Sequence, residues 1–309
     1  MPEIINISDK IEKNLPSELL ILIKEAVAVA ADKKLRLFLV GGIVRDLQLG
    51  QNNFDLDLVV EGDAIGLAKE FVQKVGGKLT PHPMFNTAKI TLGKWGIDFA
   101  MARTETYDKP GALPVVTPGS LKTDLLRRDF TINAMAVSLN PDNYGELIDL
   151  YHGLDDLKNK IIRVLHEKSF IDDATRIWRT IRYGQRLGFR IEPDTLRFLN
   201  RDVQYLRTVG GYRLRHELEL VLEEQEPEKV LVRAEDMGAL KELNPALKGD
   251  DWLLSKFKEA RFSGRATPNY YLGLLTYRLT AEELAQLSKY LRFSPEQVKT
   301  INDVRASVI

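Results

Sequence analysis

The chain of 309 residues contains no cysteine. Disulfides, zinc–thiolate sites and thiol nucleophiles are therefore excluded. Histidine is scarce: His82, His152, His166 and His216 are the whole set, and no two lie close enough in sequence to suggest a metal pair. No apolar run approaches the roughly 18 residues that a membrane span requires. The N-terminus also lacks the basic-then-apolar pattern of a signal peptide, so a cytoplasmic location is the expectation. An excess of either charge is missing too, since Lys+Arg 44 balances Asp+Glu 44. Any nucleic-acid partner would need basic residues gathered on one face, because phosphate binding depends on local charge density.

What is present is ordinary for a globular chain, with 44% hydrophobic and 28% charged residues, enough for two or three packed units. Apolar spacing predicts a helix over residues 18–31. A short strand at 36–40 runs into Gly41-Gly42, and a short helix at 43–49 is stopped by Gly50. Residues 54–60 alternate and suit a strand; 63–75 form an amphipathic helix closed by Gly76-Gly77. Residues 87–92 and 96–102 read as a hairpin through Gly93-Lys94. The stretch 107–120 holds three of the 13 prolines and two glycines, which predicts a stiff, irregular loop. Beyond residue 155 strand signals nearly vanish, and 170–187, 212–224 and 227–237 carry helical spacing. The expected fold class is α+β in the first half and all-α after it, with a boundary near residues 140–165.

The most informative stretch is Phe54-Asp55-Leu56-Asp57-Leu58. Side chains at i and i+2 of a strand share a face, so Asp55 and Asp57 would project together. Two carboxylates aimed at one point repel unless a cation lies between them. Mg²⁺ suits such oxygen ligands, and a pair of ions about 4 Å apart suits in-line phosphoryl transfer. Asp98, in the strand-like Gly96-Ile97-Asp98-Phe99-Ala100, is the candidate third acid if sheet pairing brings it beside Asp57. Acid pairs are also common on solvated strand faces, so this pair alone does not define a site. The Gly41-Gly42 turn before it lets backbone N–H groups and a helix N-terminus approach an anion, and Arg45 adds a fixed positive charge. The spacing fits neither a Walker A loop nor a GxGxxG turn.

Leu39-Val-Gly-Gly-Ile-Val-Arg-Asp46, Asp55-Leu-Asp57 and Arg127-Arg-Asp-Phe-Thr-Ile-Asn-Ala-Met-Ala136 together resemble the class II tRNA nucleotidyltransferase and bacterial poly(A) polymerase family. The likeness runs from about residue 36 to about residue 222. It implies a polymerase-β-like nucleotidyltransferase head at 1–140, a helical neck at 141–222 that reads the base, and a helical body at 223–309 that binds RNA. It further implies that Asp55 and Asp57 hold the metals, expected as two Mg²⁺ ions; Asp98, from its strand position, stays the candidate third catalytic acid. Gly41, Gly42 and Arg45 would hold the triphosphate, while Arg128, Asp129 and Asn133 would contact ribose and phosphates. The partners implied are ATP, CTP and the 3′ end of tRNA or another RNA.

Asp172-Asp173-Ala-Thr-Arg176 is similar to the family's EDxxR base-reading motif, with Asp172 in place of Glu. Read as the opening of one helix to Leu187, it puts Asp173 and Arg176 on a shared face. A carboxylate accepts and a guanidinium donates, which matches the amino donor and ring-nitrogen acceptor of cytosine and adenine. Arg176, Arg179, Arg182 and Arg186 form a stripe; Arg179 is expected at the nucleotide, with Arg182 and Arg186 left open. Val209-Gly-Gly-Tyr-Arg-Leu-Arg-His-Glu217 lies where the family has a Ser-x-Glu-Arg helix start. The residues before Arg213 depart from that pattern, so no capping box is expected. Arg207, Arg213 and Arg215 are candidates for an RNA-facing surface. The expected activity is template-independent addition of AMP, CMP or both to a tRNA 3′ end. The alternatives are a poly(A) polymerase on general RNAs and a non-catalytic RNA- or nucleotide-binding module.

Overall fold

A computed structural model describes residues 4–307. The chain forms two compact units. The first comprises the residues up to Thr106, Pro114–Asn159 and Arg163–Leu165; the second comprises Tyr107–Leu113, Lys160–Ile162 and the chain from His166 onward.

The first unit runs α1 (Ser8–Asn14), α2 (Ser17–Asp32), β1 (Arg36–Val40), α3 (Gly42–Leu49), β2 (Leu56–Glu61) and α4 (Ala64–Val75). It continues through β3 (Lys78–His82), β4 (Thr87–Leu92), β5 (Trp95–Met101), β6 (Arg103–Thr106), β7 (Val115–Pro118), α5 (Leu121–Leu126), β8 (Met135–Ser138), β9 (Leu147–Asp149) and α6 (Gly153–Lys158). Among the described residues seven strands make one sheet in the order β3-β4-β5-β2-β1-β8-β9. β2 and β5 run parallel, while β1 is antiparallel to both its neighbours.

Alternation along the strands divides the unit's interior in two. One face carries Leu37, Leu39, Leu56, Leu58, Ile97 and Phe99, all buried, and Phe71 of α4 packs on Phe99 at 5.4 Å between ring centroids. The other face carries Phe38, Val40, Val59 and Ala136 against Leu121 and Leu125 of α5. Asp57 and Asp98 belong to this second face. α4 starts at Asp63, whose carboxylate accepts from Gly66 N, and α5 starts at a reciprocal Ser120–Thr123 capping box.

Three expectations are corrected. The strand expected from Phe54 begins at Leu56, so Phe54 and Asp55 precede the sheet. Asn53 accepts from Asp55 N at 3.0 Å, a local turn that competes with strand pairing. The proline-bearing stretch is not wholly irregular, because Val115–Pro118 pairs antiparallel with Arg103–Thr106. The helix expected over 170–187 is broken at Asp173, which has an extended backbone between two helices.

The second unit contains β10 (Ile161–Ile162), α7 (Ser169–Asp172), α8 (Thr175–Arg186), β11 (Arg190–Ile191), α9 (Pro193–Asp202) and α10 (Gly211–Leu222). After these come α11 (Pro227–Asp236), α12 (Ala239–Leu243), α13 (Asp251–Phe262), α14 (Pro268–Leu275), α15 (Ala281–Leu291) and α16 (Pro295–Ser307). Apart from the two-residue pair β10–β11 it is helical among the described residues. α10 starts without a side-chain cap. Its Gly211 is required for space: a Cβ there would lie 1.7 Å from the carbonyl oxygen of Tyr290 in α15. No helix among the described residues is long and apolar enough to cross a membrane.

Candidate active site

In the first unit the parallel β2–β5 register sets Asp57 directly opposite Asp98. Asp57 is largely buried, and burial raises its carboxyl pKa to about 6; Arg128 opposes the rise, while Asp98 and Asp55 add to it. Asp98 is half-exposed and is raised by burial too, against the pull of Lys89, whose Nζ stands 3.8 Å away. Asp55 is exposed just before the strand and is held by the Asn53 turn. The three acids do not close on a single point as they stand: among the described residues no group of three His, Cys, Asp or Glu side chains is arranged to hold an ion. The donors are nevertheless all oxygen, and Asp57 feels both other acids as repulsion. That is the electrostatic condition a hard divalent cation relieves.

The glycine turn lies against this cluster. Gly41 has φ 79°, and a Cβ on it would lie 3.2 Å from Arg128 Nη1 and 3.3 Å from Asp57 Oδ2. A glycine therefore serves twice here, for backbone conformation and for room between an acid and a base. Gly42 opens α3. Arg45, expected to meet the triphosphate, is buried. Its Nε and Nη2 donate to Asp46 at 2.7 and 2.9 Å, and its Nη1 donates to Asn133 Oδ1 at 2.7 Å. Asn133 donates in turn to Asp129 at 3.0 Å, and Asn53 donates to Asp46 at 2.7 Å. Asn53, Arg45, Asp46, Asn133 and Asp129 thus form one buried polar network that ties α3 to the segment before β8. Asn53 was not singled out from sequence, although its place two residues before Asp55 is the signature of a side-chain turn.

In the second unit, the sequence expectation of a shared helix face for Asp173 and Arg176 is not met. Asp173 lies in the break before α8, where its Oδ1 accepts from Thr175 N at 3.1 Å and Thr175 Oγ1 at 2.7 Å. Arg213 of α10 donates to both of its oxygens at 2.8 Å. Arg176 is buried and donates to Ser169 Oγ at 2.8 Å. His166 approaches Asp172 at 3.8 Å, and burial, then Arg176, hold its pKa low.

The arginine stripe is an interhelical ladder. Arg182, 3% exposed, stands 3.6 Å from Glu217 and 3.5 Å from Glu224. Arg179 is 3.9 Å from Glu217, and Arg186 bonds Glu224 at 2.5 Å. Burial raises the Glu217 pKa despite its two guanidinium neighbours. Of the RNA-facing candidates, Arg213 is bound to Asp173, and Arg215 is bound to the carbonyl of Arg292 and lies 3.4 Å from Glu219. Arg207 pairs with Glu242 at 2.5 Å while its side chain stays 68% exposed.

Comparison with known proteins gives this arrangement a class. Residues 37–163 match the poly A polymerase head domain, and residues 188–250 match the probable RNA- and SrmB-binding site of polymerase A. The chain is 45% identical over 229 residues to an A-adding tRNA nucleotidyltransferase of Aquifex aeolicus, covering 74% of this chain and 28% of that protein. It is 43% identical over 238 residues to one of Geobacter sulfurreducens, covering 76% of this chain and 27% of that protein. A solved CCA-adding enzyme of Thermotoga maritima, complexed with tRNA, superposes with TM-score 0.83 at 34% identity over 99% of this chain and 74% of that one. The chain belongs to the tRNA nucleotidyltransferase and poly(A) polymerase family. It spans only about a quarter of the length of the two A-adding relatives. The family consists of nucleotidyltransferases, which generally use divalent metal ions.

Proposed function

We propose that the chain is a template-independent nucleotidyltransferase that adds AMP, CMP or both, from ATP and CTP, to the 3′ end of tRNA in CCA-end synthesis or repair. The observation that carries this reading is the convergence in the first unit: Gly41 stands between Asp57 and Arg128, and Asp98 stands opposite Asp57. Catalysis is assigned to residues 1–140, base recognition to 141–222 and RNA binding to 223–309, and the reaction to the cytoplasm.

In this reading Asp55 and Asp57 hold two Mg²⁺ ions and Asp98 completes the acid set. Mg²⁺ bound there would neutralise phosphate charge and favour the ionised form of the RNA 3′ hydroxyl. The backbone N–H groups of Gly41 and Gly42 and the guanidinium of Arg128 meet the triphosphate. Arg45 acts by fixing the turn through Asp46 and Asn133, while Asp129 and Asn133 border the ribose. The RNA 3′ oxygen bonds to the α-phosphorus as the bond to the β-phosphate oxygen breaks, and pyrophosphate leaves. Positioning and charge neutralisation supply the rate. Asp173 and Arg176 remain the proposed readers of cytosine and adenine, with Arg179 beside them. Arg213 and Arg215 then serve chiefly to hold the helices, and Arg207 is the RNA-facing candidate of the three.

The identity to two A-adding relatives favours addition of the terminal A. The test is incubation with tRNAs ending before the first C, after both Cs, and complete, each nucleotide being supplied alone. AMP joined once to the tRNA ending in CC is expected. CMP joined to the shorter tRNA would make the activity CCA- or CC-adding, and a long A tail on unrelated RNA would make it a poly(A) polymerase. Nucleotide bound with no product on any RNA would reduce the chain to a binding module.

A further inference from the structure

Asp124 in the last turn of α5 is a carboxylate with 0% exposure, outside every role assigned above. Its two oxygens are divided between consecutive arginines. Oδ1 accepts from Arg127 Nη2 at 2.6 Å and Nε at 3.0 Å, and Oδ2 accepts from Arg128 Nη2 at 3.1 Å. Burial pushes the Asp124 carboxyl up, but Arg128 and Arg127 outweigh it and hold it below the ordinary range. The group is therefore a fixed anion.

The two guanidiniums leave this anion in different directions. Arg127 turns to Glu105 of β6, to which its Nη1 donates at 3.0 Å. Arg128 turns to the glycine turn, where its Nη1 borders Gly41 beside Asp57. Arg127 is thus spent on the protein. Arg128 has a different balance, since its Nε is buried without a hydrogen-bond partner. That atom lies on the same edge of the guanidinium as Nη2, so Asp124 is the acceptor that holds this edge.

We infer that Asp124 is a positioning residue that grips Arg128 by the Nη2 edge and so presents the Nη1 edge, beside Gly41 and Asp57, to the phosphates of the incoming nucleotide. Without that grip the long side chain would have rotamers to choose from, and Asp57 would compete for it as an ion-pair partner. This inference rests on the proposed nucleotide site, and its test separates the two.

The measurements use the 309-residue chain: the Kd for ATP by titration calorimetry, and KM and kcat for AMP incorporation. Asp124→Asn is expected to raise Kd and KM for ATP about tenfold, with a smaller change in kcat. On an Arg128→Ala background the same change is expected to add less than about twofold, because the residue it positions is gone. Arg127→Gln should leave both constants within about twofold of wild type. Unchanged ATP binding in Asp124→Asn, or effects that multiply in the double variant, would overturn the inference. If circular dichroism shows Asp124→Asn unfolded, Asp124→Glu replaces it, keeping the buried charge while displacing the grip; an unaltered Kd there is equally fatal. A wild-type chain that binds ATP but incorporates nothing would defeat the functional reading, and the Kd series would still decide the role of Asp124.

Discussion

Charge is clustered in both units, and the two clusters are built on opposite terms. In the first unit Asp57 stands opposite Asp98 with Asp55 just before the strand, and Arg128 and Lys89 are the cations acting on them. Burial and mutual repulsion leave Asp57 titrating near pH 6. In the second unit the arginines of α8 meet a carboxylate at nearly every step, Glu217 and Glu224 facing Arg179, Arg182 and Arg186. From sequence the acid pair is ambiguous when taken alone, and in the arginine stripe only Arg179 is expected at the nucleotide; the packing adds carboxylate partners for Arg182 and Arg186, the two that the sequence leaves open. A cluster that the protein leaves unbalanced is available to a ligand, whereas one it balances internally is holding helices together.

The variant with the largest expected effect tests the unbalanced side. Asp57→Asn should lower nucleotide incorporation by at least about a thousandfold, consistent with the several kcal/mol that metal-assisted charge neutralisation supplies. The same variant should be more stable than wild type in a chelator at pH 7. The folded carboxyl titrates above its usual range, so its contribution to stability is intact at low pH and is lost as pH rises through about 6. Removing the charge should recover on the order of 2 kcal/mol at pH 7 and almost nothing at pH 3, below the unfolded carboxyl's 3.8, read from thermal melts at the two pH values. Equal melting of variant and wild type at pH 7 would mean that the acids do not strain the fold.

On the balanced side, Arg182→Ala leaves Glu217 and Glu224 short of a buried cation. It should cost about 3 kcal/mol in urea unfolding. A loss below about 1 kcal/mol would break the comparison, because the ladder would then not be structural. The smallest effect is expected of Arg186→Ala, whose side chain is 42% exposed. Its pair with Glu224 should contribute less than about 1 kcal/mol, and the denaturation midpoint should barely move.

Features encoded by local chemistry were legible in the sequence. The strand at Arg36–Val40, the stop of α3 at Gly50 in the left-handed region, and the hairpin through Gly93-Lys94 all follow from short-range rules. The α+β first half and helical second half were legible for the same reason. Places where a side chain competes with the backbone were not. Asn53 delays the strand by capturing Asp55 N, and Thr175 bonds to Asp173 where helical spacing ran on without a gap. The charge partners were the least legible, since Arg213 and Asp173 are 40 residues apart and Arg186 and Glu224 are 38. No periodicity reports such pairs. The buried inward turn of Arg45 belongs to the same class, as spacing shows that a cation follows the glycines but not which acceptor is nearer.

The bond from Arg45 to Asn133 spans 88 residues, and β1 pairs with β8 across a similar stretch. The glycine turn is thus shaped by a part of the chain synthesised long after it. Contacts of that separation carry a large loop-closure cost and form slowly. A nascent chain that has released β1 through β5 already owns Asp55, Asp57 and Asp98, yet lacks Arg128, Asn133 and the strand that fixes Gly41. Assembly of the candidate site therefore waits for the emergence of β8, and a ribosome-bound fragment ending before it would carry the acids without the partners that hold the glycine turn.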